Sequence, residues 1–322
     1  MMISLKRMAE ELGKHDSYRI YYHKQPDGDA IGSAFALALG LRSAGHRCAA
    51  FCCDPLPEKY ENLVDGLEND ELCGDVRNIA VDSAGPKRLG VFSDIPMDFC
   101  IDHHENNGFS DALQYVEEGA SSCAQVILKL MNEMQVPVTG RMADLLFTGL
   151  VTDTSSFRSL STNAASFEAA ARLAALGADA AGLARRYCLM KNPQRLRIEQ
   201  ILMNSFRYTC GGKVLGSMFT YDEMMNAGIQ DRELEGLNAI VEQVEGVEIG
   251  IVVREIRPGE CRISIRTGEK FNAAELCAAF GGGGHAHAAG CSLTALPEEA
   301  FRRVQDMCDQ AFSAAQKKDH GE

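Results

Sequence analysis

The chain has 322 residues, 46% of them hydrophobic, enough to bury a substantial core and, on length, to form two domains. No apolar run approaches the roughly 18 residues that a membrane span needs. The formal charge of −13 argues against a long nucleic-acid track, because proteins that grip duplex or long single strands carry a basic stripe. A small anionic substrate remains compatible with that charge if metal ions supply positive charge locally.

Residues 1–15 mix Lys6, Arg7, Glu10 and Glu11 among apolar positions, which predicts an amphipathic helix rather than a signal peptide. Short apolar runs then alternate with helical patterns, the mark of an α/β sheet. Strands are expected over 18–23, 47–53, 76–81 and 97–101. Helices are expected over 30–44, closed by Gly45, and over 121–135, 140–151 and 163–176, the last closed by Gly177. A helix over 193–208 leads out of this domain, and Gly211-Gly212 breaks it. Strands over 213–220, 247–256 and 262–266 and helices over 273–279 and 297–314 follow. The charged tail 316–322 is expected to fray. The fold class is therefore α/β: an N-terminal, mostly parallel sheet flanked by helices (1–190), a linker helix (191–212) and a smaller α/β domain (213–316). The twelve cysteines are scattered without a C-x-x-C pair. With no secretory signal they predict reduced, mostly buried thiols in a cytoplasmic protein.

Four polar clusters stand at the ends of these elements. The first is His23-Lys-Gln-Pro-Asp27-Gly-Asp29, between a strand and a helix. Open α/β sheets place ligands at that end, although Asp-Gly is also common in solvated turns and Asp as an N-cap. An EF-hand fits less well, because Ile31 and Ala38 would occupy ligand positions. Asp82 follows the strand 76–81, where a lone Asp is as readily a cap or turn residue. Asp102-His103-His104 follows the strand 97–101. Asp153 sits in Thr152-Asp153-Thr154 at a helix end, where a polar residue is also ordinary. Together they are less ordinary. Carboxylates gathered in one cleft repel and raise each other's pKa. Two divalent ions would neutralise Asp27, Asp29, Asp82 and Asp153. Oxygen and nitrogen ligands without thiolate suit Mn²⁺ best, with Mg²⁺, Co²⁺ or Fe²⁺ as alternatives.

In this order the motifs resemble the DHH phosphoesterase superfamily, and Phe280-Gly-Gly-Gly-Gly-His285-Ala-His-Ala-Ala-Gly290 resembles its DHH-associated domain. The nearest group is the nanoRNases, also described as bifunctional oligoribonuclease and pAp phosphatases. The resemblance implies one ion on His23, Asp27 and Asp82 and another on Asp29, Asp82, His103 and Asp153. It assigns His104 to the substrate phosphate and Asp102 to orienting a histidine. Two ions about 3.5–4 Å apart would activate water and stabilise the phosphoryl oxygens. The glycine run lacks the lysine of a P-loop, but its amides could form an anion nest. Gly282, Gly283, Gly284, His285 and Arg266 are the expected substrate contacts, across a cleft between the lobes. Arg158 is a further candidate or a surface ion pair, and His287 reads as packing.

The implied substrates are very short single-stranded RNA and the nucleoside bisphosphate pAp, with no long duplex and no membrane partner; homodimerisation is left open. Linear or cyclic dinucleotide hydrolysis is the alternative within this chemistry. An inorganic pyrophosphatase would share the first four motifs but not the glycine-rich element, and a RecJ-like exonuclease would need a basic channel. A non-catalytic nucleotide-binding module is the alternative of another class.

Overall fold

A computed structural model describes residues 1–104, 107–229, 234 and 236–319, with side chains to 316. The chain divides into two compact units, Met1–Met190 and Lys191–Glu322.

In the first unit β1 (Ser17–Tyr22), β2 (Arg47–Phe51), β3 (Val76–Val81), β4 (Phe99–Asp102) and β5 (Leu113–Val116) form one parallel sheet. Its order is β2-β1-β3-β4-β5. The helices are α1 (Leu5–Leu12), α2 (Gly28–Ser43), α3 (Glu58–Val64), α4 (Cys123–Glu133), α5 (Gly140–Asp153), α6 (Ala164–Ala175) and α7 (Ala180–Ala184). Strand residues alternate between two cores, as a period of two requires. Tyr18, Ile20, Ile79, Val81, Phe99 and Ile101 face the large core that α1, α2, α4 and α5 complete. Tyr21, Ala80 and Cys100 face a smaller one with Leu89 and Phe109. Both faces are covered, as a parallel sheet demands.

The strand order reverses between β1 and β3, and such switch points open a crevice at the carboxyl ends of the strands. His23 directly follows β1 and Asp82 directly follows β3. The loop after β1 ends where the Asp27 side chain accepts hydrogen bonds from the Asp29 and Ala30 amides, both at 3.0 Å, and so starts α2. Helix α2 then lies against α5 so closely that a Cβ on Gly32 would collide with the Leu145 carbonyl.

The second unit contains α8 (Pro193–Asn204), β6 (Arg207–Thr209), β7 (Val214–Phe219), α9 (Tyr221–Asn226), α10 (Ala239–Glu242), β8 (Ile249–Arg257) and β9 (Glu260–Thr267). It closes with α11 (Ala273–Ala278), β10 (Gly283–Gly284), β11 (Ala288–Thr294) and α12 (Pro297–Asp319). The sheet order is β10-β11-β9-β8-β7-β6, parallel at β7–β8 and antiparallel elsewhere. Ile251, Val253, Ile263 and Ile265 pack on α11 and α12. Leu215, Phe219 and Val252 pack on the opposite face with α8, α9 and α10.

Two expectations are corrected. Residues 191–212 are no linker, because Ile198 and Leu202 of α8 are fully buried in the core of the second unit. The helix expected over 193–208 stops at Asn204, and Arg207–Thr209 instead pairs with β7 as an edge strand. Helix α12 runs to Asp319, and residues 320–322 of the tail expected to fray lie outside the described residues. All twelve cysteines are free thiols. Among the described residues no helix is long and apolar enough to cross a membrane.

Candidate metal centre

The ends of β1, β3 and β4, the first turn of α2 and the last turn of α5 bring six of the expected ligands together. His23 Nε2 lies 3.6 Å from an oxygen of Asp27 and 3.6 Å from Asp82 Oδ2. His103 Nε2 lies 3.5 Å from Asp82 Oδ1, 3.5 Å from Asp153 Oδ2 and 4.0 Å from Asp29 Oδ2. Two groups, His23–Asp27–Asp82 and Asp29–His103–Asp153, each hold their ligand atoms within 4.8 Å of one another, and Asp82 also neighbours His103. His23, Asp29 and Asp82 form a buried floor, while Asp27, Asp153 and His104 are partly exposed at the rim.

The donor set fits divalent cations on three observations. His23 Nδ1 donates to the Lys24 carbonyl at 2.8 Å, and His103 Nδ1 to the Ala120 carbonyl at 3.1 Å. A carbonyl can only accept, so each neutral ring turns the bare Nε2 lone pair toward the carboxylates. Asp82 Oδ1 is buried and has no hydrogen-bond partner among the described residues, a costly arrangement unless a cation satisfies it. Asp82 also holds a left-handed backbone, φ 52°, a conformation that survives in a non-glycine residue when its surroundings over-determine it.

Asp29 has a second role. Its oxygens accept from the Cys123 amide at 2.6 Å, the Ala124 amide at 2.9 Å and the Ser33 hydroxyl at 3.1 Å. The carboxylate thus sits on the first turn of α4, where the helix dipole favours negative charge. Close approach of α5 completes the arrangement, since a Cβ on Gly149 would stand 2.6 Å from Asp29 Oδ1.

Without ions the cluster retains protons. Burial, then the charges of Asp82 and Asp153, push the Asp29 carboxyl well above the usual range. Burial pushes Asp153 up to about 7, against the attraction of His103. At His103 burial opposes charge, but Asp82, Asp29 and Asp153 outweigh it and raise the imidazole to about 10. At Asp27 burial also opposes charge, but His23 and the Ala30 and Asp29 amides prevail and lower the carboxyl to about 2. Ions compete directly with these protons.

Asp102 is fully buried and accepts from the His103 amide at 2.7 Å, Asn107 Nδ2 at 2.7 Å and His104 Nδ1 at 2.8 Å. Its hydrogen bond to His104 raises that imidazole's pKa. Although Asp102 lies within ligand distance of Asp82, His103 and His104, its oxygens are committed to these donors. Sequence reasoning assigned no role to Asn107, to Ser33, to the Ala120 carbonyl or to the α4 amides. The Ser122 N-cap of α4 was the available signal for those amides.

Arg158 is exposed, and its Nε donates to the Ser155 carbonyl at 2.8 Å. The remaining candidates lie in the second unit. Arg266 Nε pairs with Glu242 at 2.7 Å. Gly283 and Gly284 pair with Gly290 and Ala289 of β11, so the glycine run is the edge of a hairpin. The amides of Gly281 and Gly282 donate to the Ala278 and Cys277 carbonyls, which withdraws them from an anion nest. His285 is exposed, and so is His287, which was expected to pack.

A model of the DHH family N-terminal domain matches residues 17–150, and a DHHA1 domain model matches residues 211–314. The chain is 29% identical over 321 residues to the bifunctional oligoribonuclease and PAP phosphatase NrnA of Thermus thermophilus, covering 96% of this chain and 95% of that protein. It is 24% identical to the cyclic-di-AMP phosphodiesterase GdpP of Bacillus subtilis, covering 90% of this chain and 47% of that protein. The crystal structure of an exopolyphosphatase-related protein from Bacteroides fragilis shares the fold, with a TM-score of 0.84 at 22% identity and 97% of each chain covered. With both domain models in chain order and the expected ligands gathered in the first, this chain belongs to the DHH phosphoesterase superfamily, a DHH domain followed by a DHHA1 domain.

Proposed function

We propose that this metal-dependent phosphoesterase uses two divalent ions, Mn²⁺ foremost, to hydrolyse very short oligoribonucleotides to mononucleotides and pAp to AMP and phosphate. The observation that carries the reading is Asp82, whose Oδ2 faces His23 while its buried Oδ1 faces His103. His23, Asp27 and Asp82 would hold one ion, and Asp29, Asp82, His103 and Asp153 would hold the other. When bound, such ions supply Lewis acidity toward phosphoryl oxygens and a nucleophilic water at neutral pH.

The chain's own residues do the rest. Asp102 holds the His104 ring by Nδ1 and raises its pKa, so a protonated Nε2 can reach a leaving oxygen from the exposed rim. The −13 charge discourages long strands and favours short single-stranded RNA and nucleoside bisphosphates as partners. Arg158, and in the second unit Arg266, Gly282, Gly283, Gly284 and His285, are the proposed contacts for the remainder of the substrate. The likeness to the Thermus thermophilus protein over nearly the whole of both chains supports this substrate class. The likeness to the cyclic-di-AMP enzyme keeps dinucleotide signals as the second reading, although this chain spans about half of that protein.

The test is one Mn²⁺-dependent assay of pAp, di- to pentaribonucleotides, and linear and cyclic dinucleotides. Hydrolysis of pAp and the short oligonucleotides is the expected result. Turnover of cyclic dinucleotides alone would favour the second reading, and Mn²⁺ binding with no turnover would favour a non-catalytic module. Asp82→Ala should abolish hydrolysis and lower bound metal, by elemental analysis, while circular dichroism keeps the native signal.

A further inference from the structure

We propose that the stacked rings of Phe157 and Phe167 form a platform for the nucleobase of the substrate; the assignment rests on the function proposed above. The two rings lie 5.1 Å apart at 23°. Phe157 packs against the core, whereas Phe167 is 56% exposed. An aromatic pair with one outer ring open to water suits a flat, sequence-tolerant ligand such as a base.

Both rings are tied to elements of the metal centre. Phe157 follows Asp153 by four residues through a turn in which Ser155, Ser156 and Phe157 all hold positive φ, 49°, 61° and 63°. Three consecutive non-glycine residues in the left-handed region are strained, and such strain gathers at ligand clamps. The turn is fastened by the buried Thr154, whose hydroxyl donates to the Leu150 carbonyl at 2.7 Å and accepts from the Phe157 amide at 3.1 Å. On the other side, α6 is bound to residues 119–121. Asn163 Nδ2 donates to the Gly119 carbonyl at 3.0 Å, and the Ser166 hydroxyl donates to Ser121 Oγ at 2.8 Å. Between them lies Ala120, whose carbonyl orients His103. One ring is therefore indexed to Asp153 and the other to His103. A ring pair held that way would fix where a base rests relative to a phosphate bound at the cluster of His23, Asp29, Asp82, His103 and Asp153.

The experiment compares wild type, Phe167→Ala and Phe167→Trp on a diribonucleotide and on its base-free counterpart, a diester carrying abasic ribose. Binding is read separately from the fluorescence of a non-hydrolysable dinucleotide containing 2-aminopurine. Phe167→Ala should lower the ratio of the two kcat/KM values about tenfold, mainly through KM for the dinucleotide, as expected for one lost stacked base. It should also abolish quenching of the probe, and Phe167→Trp should restore both. Phe157→Leu, which keeps apolar packing, should weaken quenching as well. Unchanged KM and quenching in Phe167→Ala, with the wild type cleaving the dinucleotide, would overturn the platform alone. A wild type that cleaves only the base-free diester would overturn the proposed function and the platform with it.

Discussion

Asp153 stands at the point where charge, burial and metal binding meet. Its carboxyl and the His103 imidazole both have raised pKa values in the folded chain, about 7 and about 10. A folded pKa above the unfolded one contributes stability fully present below the unfolded value and lost as pH rises through the folded value. Asp27, depressed to about 2, contributes in the opposite sense, but only at acid pH. The metal-free protein should therefore lose thermal stability as pH rises from about 4 to about 10, through Asp153 first and His103 after it, and Asp153→Asn should make the lower part of that decline shallower. Saturating Mn²⁺ should raise Tm more at the alkaline end, because its ligands must shed protons to bind. Melting curves across pH, with and without Mn²⁺, check both. The residues in this balance were legible in the sequence because the chemistry demands particular side chains. The Ala120 carbonyl and the Cys123 and Ala124 amides were not, since every residue carries a carbonyl and nearly every residue an amide.

Elements position these side chains through helix contacts that leave no room for a methyl group. An alanine at position 149 gains helix propensity of about 1 kcal/mol over glycine. Its Cβ would also stand 2.6 Å from Asp29 Oδ1 and 2.7 Å from Ala124 Cβ, both buried. Overpacking of that kind costs about 1–3 kcal/mol, and the displaced atom is a candidate ligand. Gly149→Ala should thus lower the denaturation midpoint and weaken Mn²⁺ retention together, checked by urea titration and equilibrium dialysis. The strands β1, β2, β3, β4, β7, β8 and β9 were visible as apolar runs bounded by turn residues. The three-residue β6 and the two-residue β10 offer too few positions for a period of two to register. Helix α8 betrayed its existence but not its allegiance, because Ile198 and Leu202 do not name the core they join.

At the scale of the whole chain, two units with separate hydrophobic cores carry very different burdens of charge chemistry. The ion cluster lies wholly within the first. Calorimetry should show Mn²⁺ shifting the transition of that unit, by about 2.7 kcal/mol at a hundredfold excess over Kd, and leaving the other in place. A shift shared equally by both would mean that they unfold together. The parallel sheet, its flanking helices and the smaller α/β unit were legible at this scale, because alternation of short apolar runs with helical periods survives over long stretches.

Asp29 adds an asymmetry to how such a pocket can decay. The same carboxylate that faces His103 also seats the first turn of α4, whereas the Asp153 rim carboxylate pairs with His103 inside the cluster. A descendant released from catalysis could discard Asp153 and keep its architecture, but discarding Asp29 would unmoor a helix. The aspartate surviving longest in a dead relative is then a relic of scaffolding, and its presence alone is poor testimony to turnover.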